Sequence, residues 1–561
     1  MPRKYLTIFI LMVVMVCCVS AASATDVDNI TVPDDTNIIA DDIVESVDDV
    51  EIDDVSGSVY DMEADDTVSD VEIDEDVDNL GTDSKNVIVG ENTRGYSTTV
   101  TVDNNNYWNY FNWANGQQQV SGVNLKFNGN FNSLYFNNFI INDCVDIDAT
   151  NATFQNVGFS LTVANITLTG GTFTTTTTTN VNHVIDISAR DVKVAGTTMT
   201  LNAPSGKEFI GIDVDGSTNV EILNNVINYN CSYTNAGYIN YVVRVKNSPN
   251  ALIYNNTITA YLPLKDVAYY TTEDPMDWDQ VAAIGIEGSN SFNLSYNDIK
   301  VNVSCVVGDY PTLDSVIVLD SANSYIGHNN VTEIDNVTQV GDADYLYAID
   351  VYRCNNLNID NNTIKLRSVG GTTIVGTNNG TSTAYGIQLT GGHTVTIKNN
   401  NIDTKNNGPN AGIYSQNWGG DTNLTIVNNT IYAEGNAGSH PWSLVTGMEL
   451  QDNYAYVAGN KITVYNKQVD YAGYNVYGIS FSQYGNGNPV FNITNNCVRV
   501  INGEYAVYVQ YSNPTTYVTN NCLNTTSYSG DAAVYHTAEV TISGNYACSN
   551  CTNCTNCPVH P

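Results

Sequence analysis

The chain has 561 residues, with 20 Lys plus Arg against 59 Asp plus Glu and a formal net charge of -39 at pH 7. That length admits several domains or one elongated all-β body. So few basic residues exclude nucleic acid as a partner, which needs cations to displace its counterions, and exclude electrostatic adhesion to anionic lipid.

Residues 1–24 read as a secretory signal peptide. Arg3 and Lys4 form a basic start, Leu6 to Val19 is almost wholly apolar, and Ala22-Ser23-Ala24 supplies small residues for cleavage. The alternative, an uncleaved anchor, needs about 20 apolar residues, more than this run holds. No second run of that length follows, so the mature chain is expected to be secreted or displayed at the cell surface without a transmembrane span. Residues 25–84 form an acidic segment. Between Asp26 and Asp83 there are 23 acidic residues and no basic one, which predicts a self-repelling, disordered stretch serving as pro-segment, stalk or leader. Its carboxylates lack the Asp-x-Asp-x-Asp-Gly loop of a shaped calcium site, leaving Ca2+ as a weak expectation and no other cofactor predicted.

Residues 85–120 are expected to form an N-terminal cap. Within Asn104 to Ala114, helical spacing would put Tyr107, Tyr110, Phe111 and Ala114 on one face, predicting a short amphipathic helix over the open end of a sheet. The competing reading takes these aromatics as a binding patch.

From residue 121 to 547 a short motif, apolar-x-x-Asn-x-apolar, recurs with constant form and variable spacing. It begins as Ile222-Leu-Asn-Asn225-Val-Ile227 and Ile253-Tyr-Asn-Asn256-Thr-Ile258. Its asparagines are Asn225, Asn256, Asn297, Asn329, Asn362, Asn400, Asn429, Asn460, Asn496, Asn521 and Asn545. A constant corner with variable loops is the mark of a solenoid. A second element with period-two alternation precedes most copies, as in Gly211-Ile212-Asp213-Val214 and Gly386-Ile387-Gln388-Leu389. The fold class predicted is all-β: a single-stranded right-handed parallel β-helix of about 13–15 coils, each strand pairing with its equivalent one coil on, ~4.8 Å away. The early coils are weaker, as at Leu134 to Ile140 and Val163 to Ile166. A propeller or sandwich would need regular antiparallel hairpins with Asn-Gly or Asp-Gly turns. The asparagine is expected to take the left-handed backbone conformation at the corner and to pass amide hydrogen bonds between coils.

Aligning the second element gives one outward position per coil: Asp213, Arg244, Glu287, Val318, Asp350, Gln388, Tyr414, Glu449, Ser480, Tyr508 and Tyr535. Asp213, Glu287 and Asp350, with Arg244 as the nearby base, are the catalytic candidates. Carboxylates two coils apart stand about 9 to 10 Å from each other, at the edge of the separation an inverting glycosidase uses. Ordinary solvated carboxylates explain them as simply. Tyr414, Trp418, Trp442, Glu449 and Tyr477 are the ligand-binding candidates, because flat rings on loops suit stacking on sugars or gripping a protein surface. The six histidines are too scattered to make a ligand pattern, and neither a nucleophile elbow nor a phosphate loop is present.

Ten cysteines remain after removal of the leader. Cys497 and Cys522 hold the same repeat position, one strand spacing apart, and are expected to form a disulfide. The tail, 548–561, carries Cys548, Cys551, Cys554 and Cys557. Disulfides or cross-links to a partner chain, a metal site, and free reactive thiols are the three readings of this run. There are 17 Asn-x-Ser/Thr acceptor triplets, Asn165, Asn255, Asn330 and Asn428 among them.

The Ile-x-Asn-Asn-x-Ile copies, their Gly-Ile-x-Val partners and the secretory leader together resemble the adhesin-like surface proteins of methanogenic archaea. Val100 to Asn112 resembles the segment that opens the repeat domain there, and the likeness runs from about Asn86 to Cys548. It implies a right-handed parallel β-helix with a pectate-lyase-like fold, displayed outside the cell and binding polysaccharide or glycoprotein. The same helix is similar to polysaccharide-active enzymes, which makes a polysaccharide lyase or glycoside hydrolase the alternative. The Asn-Thr-Asp, Asp-Asp and Gly-His-Gly set of polygalacturonases is missing; Gly391-Gly392-His393 is its only echo.

Overall fold

The computed structural model describes residues 96–132, 134–231, 239–266, 281–307, 311–337, 339–340, 343–369, 373–374, 381–392, 394–416, 423–437, 444–451, 454–468, 475–482, 490–510, 515–537 and 539–547. The leader, the acidic segment, the cysteine-rich tail, Trp418 and Trp442 lie outside these residues.

The chain winds as a parallel β-helix with three strands per coil. The first sheet stacks 14 strands from Asn138–Ile141 to Val534–His536, within the 13–15 coils expected. The second begins at Thr99–Val102 and ends at Val540–Ser543, and the third continues from each second-sheet strand around a tight corner. Among the described strands every ladder is parallel except the short pairing of Lys265 and Asp266 with Thr312 and Pro311.

Register follows the side chains. Ile222, Ile253, Leu294, Ile326, Ile359, Ile397, Ile426, Val457, Ile493 and Val518 lie in one column of the second sheet, all buried. Across the corner Ile227, Ile258, Ile299, Val331, Ile364, Ile402, Ile431 and Ile462 form the matching column of the third. Like stacks on like, so removing one methyl group disturbs two neighbours. The first coils use phenylalanine instead: Phe127, Phe131, Phe139, Phe154, Phe159 and Phe173 pack ring against ring, with centroids 4.9–6.2 Å apart.

The corner between the second and third sheets is a continuous asparagine ladder. Each of the ten asparagines from Asn225 to Asn521 donates Nδ2–H to Oδ1 of the next, at 2.9–3.1 Å, ending on Asn545. The same Oδ1 accepts a backbone N–H, as from Asn329 to Asn362 at 3.0 Å. The second amide hydrogen reaches a carbonyl, as from Asn362 to Ile326 at 2.9 Å. One expectation is corrected here. The left-handed residue is the one before the ladder asparagine: Asn224, Asn255, Tyr296, His328, Asn361, Asn399, Asn428 and Gly459 all have φ between 54° and 66°. Displacing the turn by one residue leaves the ladder asparagine free to point inward.

The N-terminal segment also departs from expectation. Instead of an amphipathic helix there is a three-residue 3₁₀ turn, Tyr107–Asn109. Tyr107 and Phe111 are buried, Phe111 lying 4.8 Å from Phe139, but Ala114 is exposed. Asp103, Asn106 and Asn112 take nearby backbone N–H groups with their side chains, which offers the chain an alternative to helical bonding. The early segments likewise fall at other corners: Asn138 opens a first-sheet strand, and Asn165 (φ 64°) turns between the first and second sheets.

Candidate functional site

The outward face of the first sheet carries the variable polar side chains. Four successive coils carry a glycine two positions before the outward column, Gly386, Gly412, Gly447 and Gly478, where the packing leaves no room for a side chain. A Cβ on Gly412 would meet Ile431 Cγ2 at 2.3 Å and the Gly447 carbonyl at 2.7 Å. The glycine is a steric requirement of these particular coils, since Val242 and Ala348 hold the same position elsewhere.

Register fixes the outward column as Asp186, Asp213, Arg244, Gly285, Ile317, Asp350, Gln388, Tyr414, Glu449, Ser480, Tyr508 and Tyr535. Two expected members are corrected. Glu287 sits two residues further along its strand, opposite Lys246, with Nζ to Oε2 3.8 Å. Val318 points into the core and Ile317 takes the outward place. Asp213 and Glu287, like Glu287 and Asp350, are thus not members of one column.

Asp213 and Arg244 do meet, in a charged cluster the sequence did not reveal in full. Arg244 donates Nε–H and Nη2–H to the two oxygens of Asp213 at 2.8 and 2.9 Å. His183 Nδ1 lies 3.0 Å from Asp213 Oδ2 and its Nε2 lies 3.1 Å from Glu208 Oε1. Burial opposes a charge on His183, yet Glu208, Asp213 and Asp186 together raise its pKa above the ordinary value. Burial raises Asp186, with His183 partly compensating. The His183 hydrogen bond holds Glu208 below the usual carboxylate range. Ligand atoms of His183, Asp186 and Asp213 fall within 4.8 Å of one another, a spacing that could hold a divalent cation. Such a cation would compete with Arg244, which already occupies both oxygens of Asp213.

Further along, the face turns aromatic. Tyr347, Tyr385 and Tyr414 stack in sequence, with centroids 5.7 and 4.5 Å apart. Tyr477, Tyr508 and Tyr535 form a second run at 4.1 and 4.9 Å, joined by Tyr505 and Tyr528. Tyr414, Glu449 and Tyr477, all ligand candidates, lie on this face but are 8%, 7% and 6% exposed. Tyr505, Tyr508 and Tyr535 are half-buried, as is Tyr345 beside Tyr347, and Tyr528 is 40% exposed, so among the described rings of these two runs the largest accessible group belongs to the last coils. Burial pushes Glu449 and Asp350 up to about 7.

Cys497 and Cys522 face each other in register with sulfurs 3.9 Å apart. Cys144 and Cys354 are buried free thiols.

No family model and no characterised protein sequence matches the chain. Solved structures do, at low identity. A mutant of the periplasmic alginate epimerase AlgG matches over 80% of this chain and 84% of its own, with 9% identity and a TM-score of 0.35. The A-module of the Azotobacter vinelandii mannuronan C-5 epimerase AlgE6 matches over 70% and 91%, with 11% identity and a TM-score of 0.36. The catalytic domain of a GH87 alpha-1,3-glucanase in complex with nigerose matches over 75% and 64%, with 12% identity and a TM-score of 0.32.

Proposed function

We propose that this chain is a secreted or surface-displayed, adhesin-like protein that binds polysaccharide or glycoprotein along the outward face of its first sheet. The observation that carries the reading is the tyrosine run that ends in Tyr505, Tyr508, Tyr528 and Tyr535. Tyr505 and Tyr508 of one strand stack on Tyr528 and Tyr535 of the next coil, a cluster of phenols that suits a sugar chain: ring carbons take the apolar faces of sugars while hydroxyls exchange hydrogen bonds. Charge favours a neutral glycan. Many basic side chains are held by an acid one coil away, as in Arg244–Asp213, Lys193–Glu221, Lys398–Asp360 and Lys405–Glu434. An extracellular address agrees with the sequence leader and with the lack, among the described residues, of any helix long and apolar enough to cross a membrane.

A second reading, a polysaccharide lyase or glycoside hydrolase, is favoured by the His183–Asp213–Arg244 cluster. An imidazole oriented by Glu208 beside a guanidinium is suited to moving a proton next to a developing negative charge. A divalent cation would fit this reading, with His183, Asp186 and Asp213 as the residues to hold it.

A glycan array combined with reducing-sugar and unsaturated-product assays separates the two. The binding reading expects retention without turnover, lost in Tyr508→Ala and Tyr535→Ala. Turnover that disappears in Asp213→Ala or His183→Ala would replace it with the enzymatic one.

A further inference from the structure

The corner between the second and third sheets combines two requirements that the sequence meets with the same three letters. Its first residue must tolerate positive φ, its second must be the buried ladder asparagine, and its third starts the next strand. Three copies are Asn-Asn-Thr: Asn255-Asn256-Thr257, Asn361-Asn362-Thr363 and Asn428-Asn429-Thr430. Each is an N-x-Thr acceptor whose x residue is the ladder asparagine.

We propose that Asn255, Asn361 and Asn428 are N-linked glycan attachment sites, forming a glycan-bearing edge along this corner. All three are exposed, with φ of 54°, 55° and 57°, whereas Asn256, Asn362 and Asn429 are at most 1% exposed. Modification is therefore confined to the first asparagine of each pair. Thr257 and Thr363 are exposed and Thr430 is half-buried at the start of the following strand.

The chemistry is compatible with the corner as it stands. Asn255 Nδ2 donates one hydrogen to Asn224 Oδ1 at 2.7 Å, and Asn361 Nδ2 contacts His328 Nδ1 at 2.7 Å. An amide nitrogen carries two hydrogens. Transfer from a lipid-linked oligosaccharide forms the Nδ2–C1 bond, breaks the bond from C1 to the lipid phosphate oxygen, and passes one amide proton to that leaving group. The other hydrogen remains for the outer ladder. Beside Asn428 the next coil has Gly459, where a Cβ would lie 2.4 Å from Asn428 Oδ1.

The acceptors are three coils and then two coils apart, roughly 14 and 10 Å along the edge at the usual strand spacing. None lies on a first-sheet strand, so the attached sugars leave the tyrosine face uncovered.

The experiment is glycopeptide mass spectrometry of the full chain secreted by cells that carry out N-glycosylation. Wild type is compared with Thr257→Val, Thr363→Val and Thr430→Val, which destroy each acceptor while leaving both asparagines in place. Glycan is expected on all three, with one site lost per variant and none on Asn224 or Asn399, which hold the same corner position without the Thr. Unmodified corner peptides, whether alone or alongside glycan at Asn151 or Asn330, would overturn the proposal. So would modification that persists in the Val variants.

Discussion

Asn362→Ala tests the ladder most directly, because every bond it removes is defined. In the wild type Asn362 Oδ1 accepts from Asn329 N and from Asn329 Nδ2, both at 3.0 Å. Its Nδ2 donates to Ile326 O at 2.9 Å and to Asn400 Oδ1 at 3.0 Å. Alanine deletes all four and leaves the Asn329 N–H and the Ile326 carbonyl buried. At about 1 kcal/mol net per bond, with a further penalty for groups left unsatisfied, the expected loss is about 3–5 kcal/mol. The damage should be local, since each coil meets only its neighbours. Urea unfolding measures the loss, and hydrogen exchange at Asn329 and Asn400 locates it. Asn362→Asp is the companion variant: it keeps both acceptor roles, cannot donate, and should regain stability as pH falls and the acid protonates. A value for Asn362→Ala within about 0.5 kcal/mol of an exposed third-sheet control, Lys365→Ala, would refute the reasoning.

Three further outcomes follow from the geometry. Gly412→Ala forces a methyl into Ile431 and the Gly447 carbonyl, and thermal unfolding should show a cost of about 1–3 kcal/mol. Glu333 is fully buried in the core with Ser315 Oγ donating to Oε2 at 2.6 Å, and burial raises its carboxyl from 4.5 to about 8. The folded state then holds a proton that the unfolded state releases, so its contribution is full below about 4.5 and is lost as pH rises through about 8. Glu333→Gln should flatten that fall in a stability–pH series; an unchanged slope would show that another acid controls it. Finally, oxidation should join Cys497 to Cys522 and stabilise the last coils by about 3 kcal/mol for a loop of this length. Reduction or Cys522→Ser should remove that increment equally, and protein that resists oxidation would exclude the bond.

What the sequence disclosed and what it hid have one physical origin. The ladder was legible because eleven corners demand the same side chain, and the coil number followed from it. The outward column was legible only where strands alternate. Gly285-Ile286-Glu287 looks like Gly211-Ile212-Asp213, yet Arg244 pairs with Gly285. A slip of two residues preserves which side chains face out, so a period-two pattern cannot expose it. At Val316-Ile317-Val318 there is no alternation to read, and the slip was by one. His183 looked isolated because its partners Glu208 and Asp213 lie one coil away, 25 and 30 positions along the chain, and its own coil has Thr197 where later coils carry the ladder asparagine.

Separating the ladder from the outward face also explains why so much variation is tolerated on the first sheet. From Asp213 to Tyr535 the column contains acids, a base, an amide, a serine, a glycine, an isoleucine and three tyrosines, while the corner one strand later barely changes. Backbone bonds between parallel strands do not depend on those side chains, and the ladder already satisfies the corner where the strands cannot. The remaining constraint is between neighbours in a column, since equivalent residues stand directly opposite each other. Like charges would repel at that distance. The sequence answers by placing His183 and Arg244 at the Asp186–Asp213 pair and Lys246 beside Glu287, and by stacking tyrosine on tyrosine further along. The face is thus free to be rewritten for a ligand provided that each change suits the coil on either side.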